Sequence, residues 1–120
     1  MKIVINDHRK IFGIQEDFSK LFPSLRIEFL SKTSNQHSSI QNQQFHHSNK
    51  RINDCRVIHK KGTLTVSPTM TIAEIEQNLT DTFGLSARIF RKSGHTWTEV
   101  PSAEGWTLAE QNNNAKAPLV

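Results

Sequence analysis

The sequence predicts a single α+β domain arranged as a ferredoxin-like split β-α-β sandwich. Two observations carry that expectation and a third bounds it. First, the opening third reads strand–helix–strand, and so does the stretch from Thr63 to Arg91. Second, the two units superimpose in sequence. An offset of 61 positions sets Ile5 on Val66, Ile11 on Ile72, Ile14 on Ile75, Phe18 on Leu79 and Phe22 on Phe83, and the helix stops Pro23 and Gly84 then coincide. One inserted residue later, Arg26-Ile27 falls on Arg88-Ile89. Tandem units of this order suit two helices on one face of an antiparallel sheet, with an extra C-terminal hairpin strand at its edge and a short last helix. A β-grasp-like roll is the rival topology. Third, 120 residues make about one domain, enough for a core without metals or disulfides.

The elements follow in order. Lys2 to Ile5 is a short β-branched run, hence a strand. Asn6 or Asp7 is placed to cap a helix whose apolar stripe is Ile11, Ile14, Phe18, Leu21 and Phe22. Gly13 weakens that helix and Pro23 stops it. Leu25, Ile27 and Phe29 alternate with Arg26 and Glu28, the period of a half-buried strand. Residues 32–50 are Ser, Asn, Gln and His with few large apolar side chains, and are expected to form a mobile polar insert. Ile52 to His59 reads either as a helical turn leading into an extended piece or as half of a hairpin turning at Lys60-Lys61-Gly62. Thr63 to Val66 is a strand. Thr71 and Glu74 form a capping box for a helix carrying Ile72, Ile75, Leu79 and Phe83, closed by Gly84. Ala87 to Arg91 and Thr96 to Val100 flank a Ser93-Gly94 hairpin signal, and Thr107 with Glu110 starts the last helix. Residues 1–111 thus make the domain and 112–120 a disordered tail.

Composition excludes several classes. No apolar run reaches the roughly 18–20 residues that span a bilayer, and Met1 to Asn6 turns polar too early for a secretory signal. A lone Cys55 forbids an internal disulfide and fits a reducing compartment, so a cytoplasmic chain without membrane contact is expected. Charge is uneven. Residues 31–62 hold Lys32, Lys50, Arg51, Arg56, Lys60 and Lys61 against Asp54 alone, while the rest of the chain is close to neutral. Such a segment suits a polyanion or keeps a solvated loop in solution.

Chemistry-bearing motifs are sparse. The five glycines are scattered singly, and neither a phosphate-binding loop nor a nucleophile elbow is present. His46-His47 with Cys55 and His59 is the best metal candidate, yet it lacks the tightly spaced ligand pairs of a structural zinc site, so no metal and no cofactor are expected. Cys55 and His59, four apart, would share a helix face and suggest a thiol enzyme, although no third, orienting group is evident. Asp7 with His8, and Glu16 with Asp17, read as a cap and a solvated face. On a ferredoxin-like sheet the face opposite the helices is open, and Arg26, Arg88, Phe90 and Trp97 are placed to share it. Trp106 is placed to anchor the last helix.

The run Gly62-Thr63-Leu64-Thr65-Val66-Ser67-Pro68 through Phe83-Gly84-Leu85, then Phe90-Arg91-Lys92-Ser93-Gly94 and Gly105-Trp106-Thr107-Leu108-Ala109-Glu110-Gln111, is similar to a family of small uncharacterised bacterial α+β proteins. Arg9-Lys10-Ile11-Phe12-Gly13-Ile14-Gln15 adds to the resemblance. It implies one compact domain with a variable insert over 33–50, and it assigns no activity and no site residue. The expected function is therefore a non-enzymatic binding module with a protein partner. Two alternatives stand beside it. One is nucleic-acid binding through the basic segment 50–61 and the open sheet face, with Lys50, Arg51, Arg56, Lys60, Lys61, Arg88, Phe90 and Trp97 as contacts. The other is the thiol enzyme of Cys55 and His59.

Overall fold

A computed structural model describes residues 1–30, 45–101 and 105–113. It shows a small α+β domain of two antiparallel sheets and three helices. Strand β1 (Lys2–Ile5) leads to helix α1 (Ile11–Leu21) and strand β2 (Leu25–Phe29). A 3-10 turn, Ile52–Cys55, precedes strand β3 (Gly62–Thr65), helix α2 (Ile72–Phe83), strands β4 (Ala87–Ser93) and β5 (Thr96–Glu99), and helix α3 (Leu108–Asn113). Both long helices bury the stripe that the spacing requires: Ile11, Ile14 and Phe18 on α1, and Ile72, Ile75, Leu79 and Phe83 on α2. They meet Ile3, Ile5 and Leu64 from one sheet and Leu25, Ile27, Phe29, Ala87 and Ile89 from the other in a single core.

The strands divide into two sheets, β1–β3 and β2–β4–β5, where a ferredoxin-like sandwich has one. The hairpin strand β5 does lie at an edge. The reason for the split is visible in the registers. Ile3 faces Leu64 across β1–β3, and Ile27 faces Ile89 across β2–β4. These are the pairs that the sequence repeat equates. Equivalent residues meet face to face on antiparallel strands when an approximate two-fold axis passes between the strands. Each strand–helix–strand unit therefore gives one strand to each sheet, and the units interlock rather than stand side by side. Element order alone leaves strand neighbours open, which is why it suggested one sheet.

Local details also differ from expectation. Asn6 does not cap α1; its Oδ1 accepts from the backbone N–H groups of His8 and Arg9 in a turn, and the helix starts at Ile11 without a side-chain cap. The first amides of α1 are bonded by a neighbouring segment instead, Ile11 N–H to Lys50 O at 2.9 Å and Phe12 N–H to Ser48 O at 3.1 Å. A Cβ at Gly13 would stand 3.0 Å from the Arg9 guanidinium, the end of a flexible side chain that also bonds Val4 O and Asp17. Residues 45–50 of the expected insert are thus hydrogen-bonded to the domain; residues 32–44 lie outside the described residues. The hairpin alternative for 52–66 does not form, because β3 pairs with β1. On α2 the Thr71–Glu74 capping box forms in both directions, and Gly84 closes the helix at φ +66°.

Helix α3 takes in Asn112 and Asn113 from the expected tail, of which residues 114–120 lie outside the described residues. Asn112 Oδ1 accepts from Ser24 N–H at 2.8 Å. Trp106 remains exposed, so the docking falls to buried Leu108 and Gln111, with Arg91 Nη1 donating to Gln111 Oε1 at 2.9 Å. Among the described residues no helix is long and apolar enough to cross a membrane.

Candidate functional site

Three chain segments converge around the start of α1. Residues 7–10 lead into the helix, 48–54 bond back to them, and 56–61 cross over Asp7. Ile52 N–H donates to Arg9 O, Asn53 N–H to Asp7 O, and Arg51 Nη1 to His8 O at 2.6 Å. Lys10, Lys50, Arg51, Lys60 and Lys61 are all exposed in these segments. The described basic residues of 50–61 and Lys10 therefore share one end of the molecule, where cations outnumber the carboxylates of Asp7 and Asp54.

Beneath it lies a polar pin. Arg56 is buried, and its Nε and Nη2 both donate to Asp7 Oδ1, at 3.1 and 2.9 Å, while Nη1 donates to Phe83 O at 2.9 Å. His59 Nδ1 donates to Asp7 Oδ2 at 2.9 Å. Desolvation works to raise the Asp7 pKa, but the hydrogen bonds from His59 and Arg56 and their charges outweigh it and hold the carboxyl below its ordinary value. The pin ties loop 56–61 to the end of β1 and to the C-terminus of α2. It removes Arg56 from the ligand-contacting set that the sequence suggested.

The thiol pair is not assembled as the helical spacing proposed. Cys55 ends a 3-10 turn and Arg56 is extended, so the chain does not carry His59 onto a shared helix face. The buried Cys55 Sγ donates to Arg51 O at 3.4 Å, and His59 turns to Asp7. Nor do the candidate metal ligands converge: His47 Nδ1 accepts from Asn49 N–H. Among the described residues no group of three or more His, Cys, Asp or Glu side chains is placed to share an ion.

The second feature is a groove between α1 and the outer face of the three-stranded sheet. Phe12, Gln15, Glu16, Ser19, Arg26 and Trp97 line a space of about 240 Å³. Alternation puts Arg26, Arg88 and Phe90 on the outer face as expected, with Arg26 opposite Phe90. Phe90 is partly covered by Phe45, ring centroids 5.6 Å apart, so it offers only part of a surface. Trp97 stays 37% exposed and Phe12 41%. A cation attends each ring: Arg26 lies 6.0 Å from the Trp97 centroid and Lys10 Nζ 5.9 Å from that of Phe12. Glu28 accepts from both Arg26 and Gln15, which leaves Glu16 as the exposed carboxylate of the groove. Sequence reasoning missed Phe12, whose exposure on a helix with a separate apolar stripe was the available signal.

The approximate two-fold repeats this groove. Between α2 and β4, Ala73, Glu76, Gln77, Thr80 and Arg88 line about 220 Å³, at the positions equivalent to Phe12, Gln15, Glu16, Ser19 and Arg26. Polar detail follows the symmetry as well. Gln15 Nε2 donates to Ile27 O at 2.8 Å, while the Glu76 carboxyl accepts from the backbone N–H of the equivalent Ile89, so the partners match and the direction reverses. Burial raises the Glu76 pKa, with Glu99 adding to the shift; the charge of Arg88 and the Ile89 hydrogen bond oppose it without cancelling it. Arg88 itself bonds Ala87 O at 2.7 Å and lies 3.8 Å from Glu99. The second groove has no exposed ring.

No family model, no curated protein and no solved structure matches this chain.

Proposed function

We propose that the chain is a binding module that is not itself an enzyme, and that its ligand occupies the groove between α1 and the sheet. The observation that supports this most is the exposure of Phe12 and Trp97 in one groove. Two aromatic side chains left out of a core that buries every other element's apolar stripe form the kind of anchor on which binding energy concentrates. The groups capable of chemistry are engaged elsewhere, Asp7 and His59 in the pin and Cys55 within the core. The test uses Trp106→Phe, which leaves Trp97 as the single fluorophore. Oligonucleotides, peptides and small charged aromatics are titrated in turn. A saturable change in Trp97 emission that Phe12→Ala weakens supports the reading. A flat response to every class refutes it.

A second reading, a protein partner on loop 56–61, is favoured by Val57 and Ile58, which are 78% and 57% exposed beside Lys60 and Lys61. It predicts an acidic partner whose binding Val57→Asp abolishes and Trp97→Ala leaves unchanged.

A further inference from the structure

Resting on the groove reading, we infer that the occupant is a single-stranded nucleic acid running from the positive end of the molecule across Phe12 to Trp97. Three observations converge. The exposed cations Lys10, Lys50 and Arg51 sit at the start of α1, where Phe12 N–H bonds Ser48 O, so the charge and the first ring are neighbours. Arg26 and Trp97 continue the same groove, and Lys92 is paired opposite Trp97 on the adjoining strand. Cations thus alternate with ring faces along one path. That is the pattern of a single strand, whose phosphates follow the charge while its splayed bases stack on aromatic side chains.

A duplex keeps its bases stacked on one another and has no use for rings recessed in a groove, so it gains only from the charge. Carboxylates offset part of this charge: Glu28 pairs with Arg26 and Asp17 with Arg9, Glu16 is exposed in the groove, Asp54 stands beside Arg51, and Glu99 shares the face of Trp97. Among the described residues, Lys10, Lys50, Arg51 and Lys92 are the path's cations outside any ion pair. Stacking on the two rings is worth about 1–3 kcal/mol per base, which is roughly 5- to 150-fold in affinity. The charge supplies a salt slope of about −0.7 per phosphate contacted.

The experiment uses the full chain carrying Trp106→Phe. Fluorescein-labelled oligo(dT) and oligo(U) of about 12 nucleotides, within the span of known single-strand sites, are compared with a duplex of equal length by anisotropy, while Trp97 emission is followed. Single strands are expected to bind more tightly than the duplex, to quench Trp97, and to weaken as salt rises. Phe12→Leu and Trp97→Leu, which keep apolar bulk and remove the ring, are each expected to lose about tenfold. Glu16→Gln is expected to gain affinity. Equal binding of duplex and single strand, or affinity unmoved by both Leu variants while thermal melts show them folded, overturns the inference. Trp97 quenching by peptides but not by oligonucleotides also overturns it and leaves the binding-module reading standing. Silence of Trp97 toward every class refutes both.

Discussion

Replacing Arg56 by alanine is the sharpest test of how the positive end is held together. The guanidinium is buried and makes three hydrogen bonds, two to Asp7 Oδ1 and one to Phe83 O. Truncation leaves Phe83 O facing a void, and an orphaned buried carbonyl costs about 1–3 kcal/mol. Removing one partner of a fully buried ion pair costs about 3–5 kcal/mol. Asp7 is 27% exposed at its side chain and keeps His59, so water and the imidazole recover part of that loss. The two considerations together place the expected destabilisation at about 3 kcal/mol, or roughly a 10 °C fall in Tm for a domain of this size. Urea denaturation followed by circular dichroism, with an unchanged m-value, measures it. Arg56→Lys retains the charge and loses the fork, and should fall between wild type and Arg56→Ala. A loss below about 1 kcal/mol for Arg56→Ala, the worth of a single ordinary hydrogen bond, would refute the pin.

Four further outcomes follow from the same geometry. Asp7 has a depressed folded-state pKa, so its contribution is complete above its unfolded value near 3.9 and is lost as pH falls through the lower folded value. Acid titration of stability should therefore show a loss below about pH 4 that Asp7→Asn lacks. Glu76 has a raised folded-state pKa, so it favours the folded state at low pH and opposes it as pH rises through that value. Glu76→Gln, which copies its two-fold mate Gln15, should raise Tm by about 2 °C at neutral pH, on the scale of about 0.5 kcal/mol, and lose that advantage below the ordinary glutamate pKa near 4.3. Gly84→Ala forces a side chain into φ +66° with its Cβ 3.3 Å from Ile58, and should cost about 1–2 kcal/mol by thermal melt. Thr71→Ala, which deletes half of a formed capping box, should cost about 1 kcal/mol.

Most elements were legible because their information is local. A stripe at 3.6 spacing with a proline or glycine after it names a helix wherever the helix packs, and Ile11 to Phe22 and Ile72 to Phe83 behaved accordingly. The Thr71–Glu74 and Thr107–Glu110 boxes formed for the same reason. Strand neighbours are not local. The repeat was visible, but only the registers of Ile3 with Leu64 and Ile27 with Ile89 show that it is a two-fold, with strands exchanged between units. The site was legible by half. Trp97, Lys50 and Arg51 carry signals of exposure and charge in their own neighbourhoods. Arg56 looks identical in sequence to its basic neighbours, and only the fold turns it inward onto Asp7, forty-nine residues away. Phe12 was legible too, since at helical spacing it falls off the stripe of Ile11, Ile14 and Phe18, but an apolar residue beside that stripe is easily counted with it.

The two-fold also supplies a comparison within one molecule. The two grooves share a frame: each has a helix shoulder, an arginine from the equivalent strand, a hydroxyl, and one Glu with one Gln in exchanged order. They differ chiefly in what the first groove adds, Phe12 in place of Ala73, and Trp97 brought across by β5. A backbone frame that recurs without its rings belongs to the architecture of the repeat, in which Gln15 bonds the backbone of Ile27 and Glu76 that of Ile89. The rings are not required by that architecture, and the core is complete without them. Whatever selectivity the α1 groove has over the α2 groove must therefore come from Phe12, Trp97 and the cations beside them.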